Sequence, residues 1–146
     1  MLEPVSGAIG QSARWLGEAG AGTRFKLVTN TWLAFLVEGA AEVLALAGSL
    51  GVDRAAVLEL LGTGPMSSPV AAGKARKMDA GDDSPDFSLQ WAVKDAGLAL
   101  EAAPSQTLSV LAAIRNRWQG LAEQDMGGLD VSAARHGFGQ AAATDR

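Results

Sequence analysis

The stretch Gly17 to Leu50, GEAGAGTRFKLVTNTWLAFLVEGAAEVLALAGSL, decides the fold. Its opening glycines, Gly17, Gly20 and Gly22, admit two readings: a loop that cradles phosphate, or the start of a long helix. A dinucleotide-binding fingerprint needs a buried strand before the glycines, a helix after them and an acidic residue ending a second strand. The residues before Gly17 make no convincing central strand, and a single long helix with no second strand follows Phe25. Lys26 is also misplaced for the GK[ST] of a phosphate loop. The helix reading explains more. From Ala21 to about Ser49 apolar residues occupy nearly every face, which implies burial against several neighbours. Gly48 and Gly51 bracket the end, where glycine commonly closes a helix.

Working outward from that helix, the same punctuation recurs. Asp53 reads as the N-cap of a helix over Arg54 to Leu61, with Ala56, Val57, Leu60 and Leu61 on one apolar face. Gly62-Thr63-Gly64-Pro65 is a turn. Ser67 or Ser68 with Pro69 opens a short helix to Met78, and Asp79 to Pro85, DAGDDSP, reads as an exposed polar loop. Ser88 to Ala103 has Leu89, Ala92, Val93, Ala96 and Leu100 at helical spacing. Pro104 precedes a helix over about Gln106 to Glu123, broken by Gly127-Gly128. Asp130 can cap a last short helix through Ala134. With no period-2 run of β-branched residues anywhere, the expectation is an all-α bundle of five or six helices built on one long N-terminal helix.

Composition bounds the function. The 146 residues suit one compact domain, and 48% hydrophobic against 19% charged residues supports a sizeable core. A net charge of −4 argues against nucleic acid or an anionic membrane as a partner. With no cysteine and one histidine, His136, disulfides, thiolate zinc sites and cysteine nucleophiles are excluded, and no metal site is expected. No secretory leader is read at the N-terminus, so a cytoplasmic location is the expectation. Phe25 to Leu50 is long enough to span a bilayer, but it carries Lys26, Asn30, Glu38 and Glu42. Each charge near a bilayer centre costs about 2.5 to 3.5 kcal/mol, which favours a helix packed inside protein.

The chemistry-bearing residues lie at the start of this helix. Lys26 and Asn30 stand at i and i+4 and share a face with Gly22 and Thr23. The unpaired N–H groups and positive dipole end of the first turn suit a carboxylate or phosphate. A lysine in a first turn is ordinarily a solvated charge. Shut away from water in a cleft, it is the kind of group that passes protons.

These residues carry a resemblance. G-x-x-G-x-G-x-x-x-K-x-x-x-N over Gly17 to Asn30, followed by EGAAEVLALAGSLGVD, resembles the 3-hydroxyisobutyrate dehydrogenase family, also called the β-hydroxyacid dehydrogenases and related to 6-phosphogluconate dehydrogenase. Phe87 with Lys94-Asp95 and GLALEAA is similar to a second family segment, and Gly127-Gly128-Leu129-Asp130-Val131-Ser132 to its closing G-x-x-D-x-S. The resemblance runs from about residue 11 to 136. It implies the C-terminal helical domain alone, similar in fold to that of 6-phosphogluconate dehydrogenase. Residues 1–19 would be a remnant of the end of a Rossmann domain, with Trp15-Leu16 as its last short strand. Residues 20–137 would be the helical domain and 138–146 a loose tail.

By the same resemblance Lys26 is the general acid and base at the substrate oxygen, and Asn30 orients the substrate beside Gly22. Lys94 would contact a nicotinamide cofactor, NAD or NADP, and Phe87 would line its cleft. The implied substrate is a small hydroxy acid or its carbonyl product, and the implied assembly a homodimer or higher oligomer through the helices. Many members have Asn-Asn where Thr29-Asn30 stands here. Retention of Lys26 separates the chain from the imine reductases, which typically replace it. Without the Rossmann half, the chain alone is expected to bind cofactor weakly and turn nothing over. The competing reading is a non-catalytic helical dimerisation module.

Other residues have plainer expectations. Trp32, Trp91 and Trp118 are assigned to the core or a subunit interface, with Trp91 a candidate for the pocket wall. His136 is a surface or capping residue. Glu38 and Glu42 are expected to pair with Arg54, Lys74 or Arg76, and Asp82-Asp83 to be solvated.

Overall fold

A computed structural model describes residues 15–104 and 106–138. The described residues form five α-helices: α1 (Ala21–Leu50), α2 (Arg54–Gly62), α3 (Pro69–Ala80), α4 (Leu89–Ala102) and α5 (Ser109–Leu121). A π-turn (Ala122–Met126) and a 3-10 helix (Val131–Gly137) follow. Among the described residues the only β pairing is an isolated bridge between Ser88 and Asp130. The all-α expectation holds. Trp15 and Leu16 form no strand within the described residues. Most of that proposed remnant, and the tail beyond Phe138, lie outside the described residues.

Local chemistry sets the boundaries. Gly20 (φ 86°) opens α1 and Gly51 (φ 68°) closes it, both in the left-handed region that glycine enters without penalty. The Asp53 side chain accepts from Ala55 N at 3.2 Å to start α2. The Ser68 hydroxyl accepts from Ala71 N at 3.4 Å, with Pro69 in the first turn of α3. Two boundaries move. α5 begins at Ser109 rather than about Gln106, and it passes into the π-turn at Ala122, where Asp125 takes φ 63°.

α1 is the axis of the bundle and packs against α2, α3, α4, α5 and the 3-10 helix. Ala34, Val37, Ala41 and Leu44 turn one of its faces into the core, where they meet Leu89, Leu111, Ile114, Trp118 and Val131. The small side chains on α1 let its neighbours approach closely. Its opposite face stays bare: Phe25, Val28, Trp32, Val43, Leu46 and Leu50 are exposed along its length. Burial on several sides, as read from the sequence, is thus only half achieved within this chain. Trp118 is fully buried, whereas Trp32 and Trp91 are exposed by 61% and 53%.

Among the described residues Glu38 is one of four buried polar or charged residues. It does not pair with Arg54, Lys74 or Arg76 as expected. Its carboxylate accepts from Arg117 Nε at 2.5 Å, from Arg117 Nη2 and from the Trp118 indole at 2.8 Å, because α5 rather than α3 lies across that turn of α1. Glu42 is exposed. Arg54 pairs with Asp79 at 2.6 Å and Lys74 with Asp130 at 2.9 Å. The 79–85 segment is exposed as expected, apart from Asp83, which is half-buried. Asp82 caps Ser84 at 2.9 Å, and Asp83 accepts from Arg135 at 2.5 and 2.7 Å, with His136 Nε2 3.3 Å away.

Arg117 is pinned further by its bond to Ala134 O at 3.0 Å and by the Phe138 ring beneath it at 4.3 Å. A Cβ added at Gly137 would lie 1.7 Å from Arg117 Nη1 and 2.9 Å from its Cζ. Gly137→Ala must displace that guanidinium from Glu38. The expected result is a loss of about 1 to 3 kcal/mol, read as a lower thermal midpoint. Gly128→Ala, whose added Cβ meets nothing within 4 Å, serves as the silent control.

Candidate functional site

The N-terminal turns of α1 and the middle of α4 converge on one carboxylate. Lys26 Nζ donates to Asp95 Oδ1 at 3.1 Å and to Oδ2 at 2.9 Å, and Asn30 Nδ2 donates to Oδ2 at 2.6 Å. The i, i+4 spacing places both donors on one side of α1, as read from the sequence. Asp95 was quoted there only as part of a motif; its role as the shared acceptor was not foreseen. A signal was available. Asp95 falls between Ala92, Ala96 and Ala99 on the buried face of α4, and a carboxylate among buried positions needs a partner.

The ion pair is lopsided. The Asp95 side chain is 8% exposed and that of Lys26 59%. Among the described residues the amine is exposed; the expected desolvation is that of a cleft closed by a second domain. Gly22 to Lys26 are all exposed on the first turns of α1, and α4 meets Lys26 there through Asp95. Of the three N–H groups on Lys26 Nζ, two donate to Asp95. Of the two on Asn30 Nδ2, one does. One donor on each is therefore left for an incoming oxygen.

The surroundings suit an anionic, partly apolar ligand. Lys94 is exposed, and its Nζ stands 5.1 Å over the Trp91 ring. Phe25, Val28 and Trp32 are exposed on the same turns of α1 but on its opposite, bare face, and do not line the site. Gly22 lies one turn before Lys26, in an ordinary helical conformation. A Cβ there would meet nothing within 4 Å, so no close approach within this chain requires the glycine. Phe87 is half-buried against the core, about two helical turns before Lys94. The structure thus brings Lys26 and Asn30 together, sets Lys94 next to their acceptor in sequence, and leaves Phe87 ahead of the start of α4.

A second polar cluster lies at the start of α4. Asp130 is fully buried. It accepts from Lys74 Nζ at 2.9 Å on both oxygens, from Asp86 N at 2.9 Å, from Phe87 N at 3.2 Å and from Ser132 N at 3.0 Å. Burial alone would push this carboxyl up. The Lys74 ammonium and the three backbone N–H groups outweigh it and hold the pKa at about 2, against the ordinary 3.8. A depressed folded-state value contributes stability that is complete above about pH 4 and is lost as pH falls through about 2. Asp130→Asn is expected to flatten the acid limb of the stability curve in that window, as followed by denaturant midpoints at stepped pH. A limb of unchanged steepness would show that the cluster does not carry it.

Fold and site together define an all-α domain that presents a lysine and an asparagine, anchored on a buried carboxylate, at one open end. The chain belongs to the 3-hydroxyisobutyrate dehydrogenase family: residues 20–136 match the model described as NAD-binding of NADP-dependent 3-hydroxyisobutyrate dehydrogenase. It is 30% identical over 132 residues to glyoxylate/succinic semialdehyde reductase 1 of Arabidopsis thaliana, spanning 89% of this chain and 46% of that protein. It is 29% identical over 133 residues to 2-(hydroxymethyl)glutarate dehydrogenase of Eubacterium barkeri, spanning 86% and 44%. The crystal structure of 3-hydroxyisobutyrate dehydrogenase from Salmonella typhimurium superposes with a TM-score of 0.85 at 22% identity, over 92% of this chain and 48% of that one. At that identity the likeness is one of fold. The chain spans about half the length of the relatives it matches. The family description assigns NAD binding to this region, as the motifs had implied.

Proposed function

We propose that this chain is the helical, catalytic half of an NAD(P)-dependent β-hydroxyacid dehydrogenase, in which Lys26 exchanges a proton with the substrate oxygen. The observation that carries this reading is the convergence of Lys26 and Asn30 on Asp95, with one donor on each left over. When bound, the nicotinamide cofactor supplies or accepts hydride at the substrate carbon. The exposed ammonium of Lys94 and the indole of Trp91 fit the phosphates and flat rings of such a dinucleotide, and they lie on the helix that carries Asp95. In the reducing direction Lys26 donates a proton to the oxygen of the carbonyl as it becomes a hydroxyl. In the oxidising direction its neutral amine takes that proton back. Asn30 holds the same oxygen without adding charge, and Gly22 leaves the first turn of α1 open to a substrate carboxylate. Small hydroxy acids and their carbonyl counterparts are the substrate class.

An exposed Lys26 does this chemistry only when a second wall covers it. Fusion of the chain to the Rossmann domain of a relative is the test. Oxidation of small 3-hydroxy acids, followed by nicotinamide absorbance, should appear in the fusion and be absent from either half. Activity at background in a folded fusion would refute the reading. The bare face of α1 favours a second element as well, self-association. Light scattering should show a mass that rises with concentration, and a monomer throughout would count against it.

A further inference from the structure

The first N–H groups of a helix have no partner inside it. α4 has no side-chain cap at Ser88. Its first two N–H groups donate instead to a turn some forty residues away: Leu89 N to Leu129 O at 2.9 Å and Gln90 N to Gly127 O at 3.0 Å. Just upstream, Val131 N donates to Phe87 O at 2.8 Å, and Asp130 N to Asp83 O at 3.0 Å. The Asp130 carboxylate closes this clamp by holding the N–H groups of Asp86 and Phe87, with Lys74 of α3 across it. From Leu89 to Asp95 the helix is unbroken. A slip in register at its start therefore reaches Asp95 undiminished, at about 1.5 Å per residue. That is enough to break hydrogen bonds of 2.6 to 3.1 Å.

We propose that Asp130 is a positioning residue: through the clamp between 86–90 and 127–131 it sets the axial position of α4, and so where the Asp95 carboxylate meets Lys26 and Asn30. Its functional meaning rests on Lys26 as the proton-transfer group, but the coupling is a property of this chain alone. It also gives the closing G-x-x-D-x-S motif a role. That motif touches none of the reacting groups and holds the helix that does.

An amine held by a carboxylate through two charge-assisted hydrogen bonds acylates more slowly than a free one. The test is acylation of the folded 146-residue chain, with the rate at each lysine read by peptide mass spectrometry. Asp95→Asn sets the rate of a released Lys26. Asp130→Asn should raise Lys26 labelling toward it, by about fivefold, the ratio that about 1 kcal/mol of lost pairing yields. Val57→Ala in α2 is the control for general destabilisation; it should leave the Lys26 rate within about twofold of the parent, below what a lost pair produces. The proposal is overturned if Asp130→Asn labels Lys26 at the parental rate, or if Val57→Ala raises it as much. If Asp130→Asn does not fold, Lys74→Gln is judged by the same criterion. An active Lys26→Ala fusion would refute the catalytic reading and leave this coupling standing, so the two fail separately.

Discussion

Lys26→Ala, in the chain fused to a Rossmann domain, is expected to lower kcat by about 100- to 10,000-fold, the range that positioned general acid–base groups contribute. The fold should be untouched. Lys26 lies at an exposed turn, and its pair with Asp95 is of the partly solvated kind worth about 1 kcal/mol or less. Substrate KM should change much less than kcat, because the proton moves only as the transition state forms. Asn30→Ala should act differently. It removes a neutral donor that holds the oxygen in both ground and transition states, so KM should rise together with a smaller fall in kcat. Asp95→Asn keeps the shape of α4 but removes the charge on which both donors converge, and should show a loss between the two. An alanine variant with parental kcat would remove Lys26 from the chemistry.

The largest effect on stability is expected at Glu38. Its side chain is 8% exposed and accepts three hydrogen bonds, two from the Arg117 guanidinium and one from the fully buried Trp118. Glu38→Ala leaves a largely buried guanidinium without a counter-charge and an indole N–H without an acceptor. Removing one member of such a pair costs about 3 kcal/mol or more. For a domain of this size that lowers the thermal midpoint by about 10 °C. Glu38→Gln, which keeps one acceptor, should fall in between. The double variant Glu38→Leu with Arg117→Leu should recover much of the loss, since apolar residues of similar volume often replace a buried ion pair without penalty. If the double variant is as unstable as Glu38→Ala, the cost lies in the packing of Arg117 on Phe138 and not in an orphaned charge.

The helices were legible because their signals are local. Asp53 before Arg54, Ser68-Pro69 before Val70, and glycine at 51 and 81 each act on the backbone within a few residues. The pairing of Lys26 with Asn30 was legible for the same reason, being one turn of one helix. Partners across helices were not. Glu38 was assigned to cations on the wrong elements, and Asp83 to solvent. Choosing Arg117 or Arg135 requires knowing which helix lies across which turn, and several basic residues satisfy composition equally well.

From its order of residues alone this protein is an all-α chain with a long axial helix that carries an amine and an amide on one face near its start. Periodicity and capping determine that much, since each acts over less than two turns. The tertiary structure decided what those groups meet. It placed Asp95, sixty-nine residues from Lys26, between the two donors, and it tied the start of α4 to a turn around Asp130. It also left the Lys26 side chain largely exposed among the described residues. Contacts between residues so far apart are selected by the packing of whole helices, a sum over the core that no short window of sequence contains.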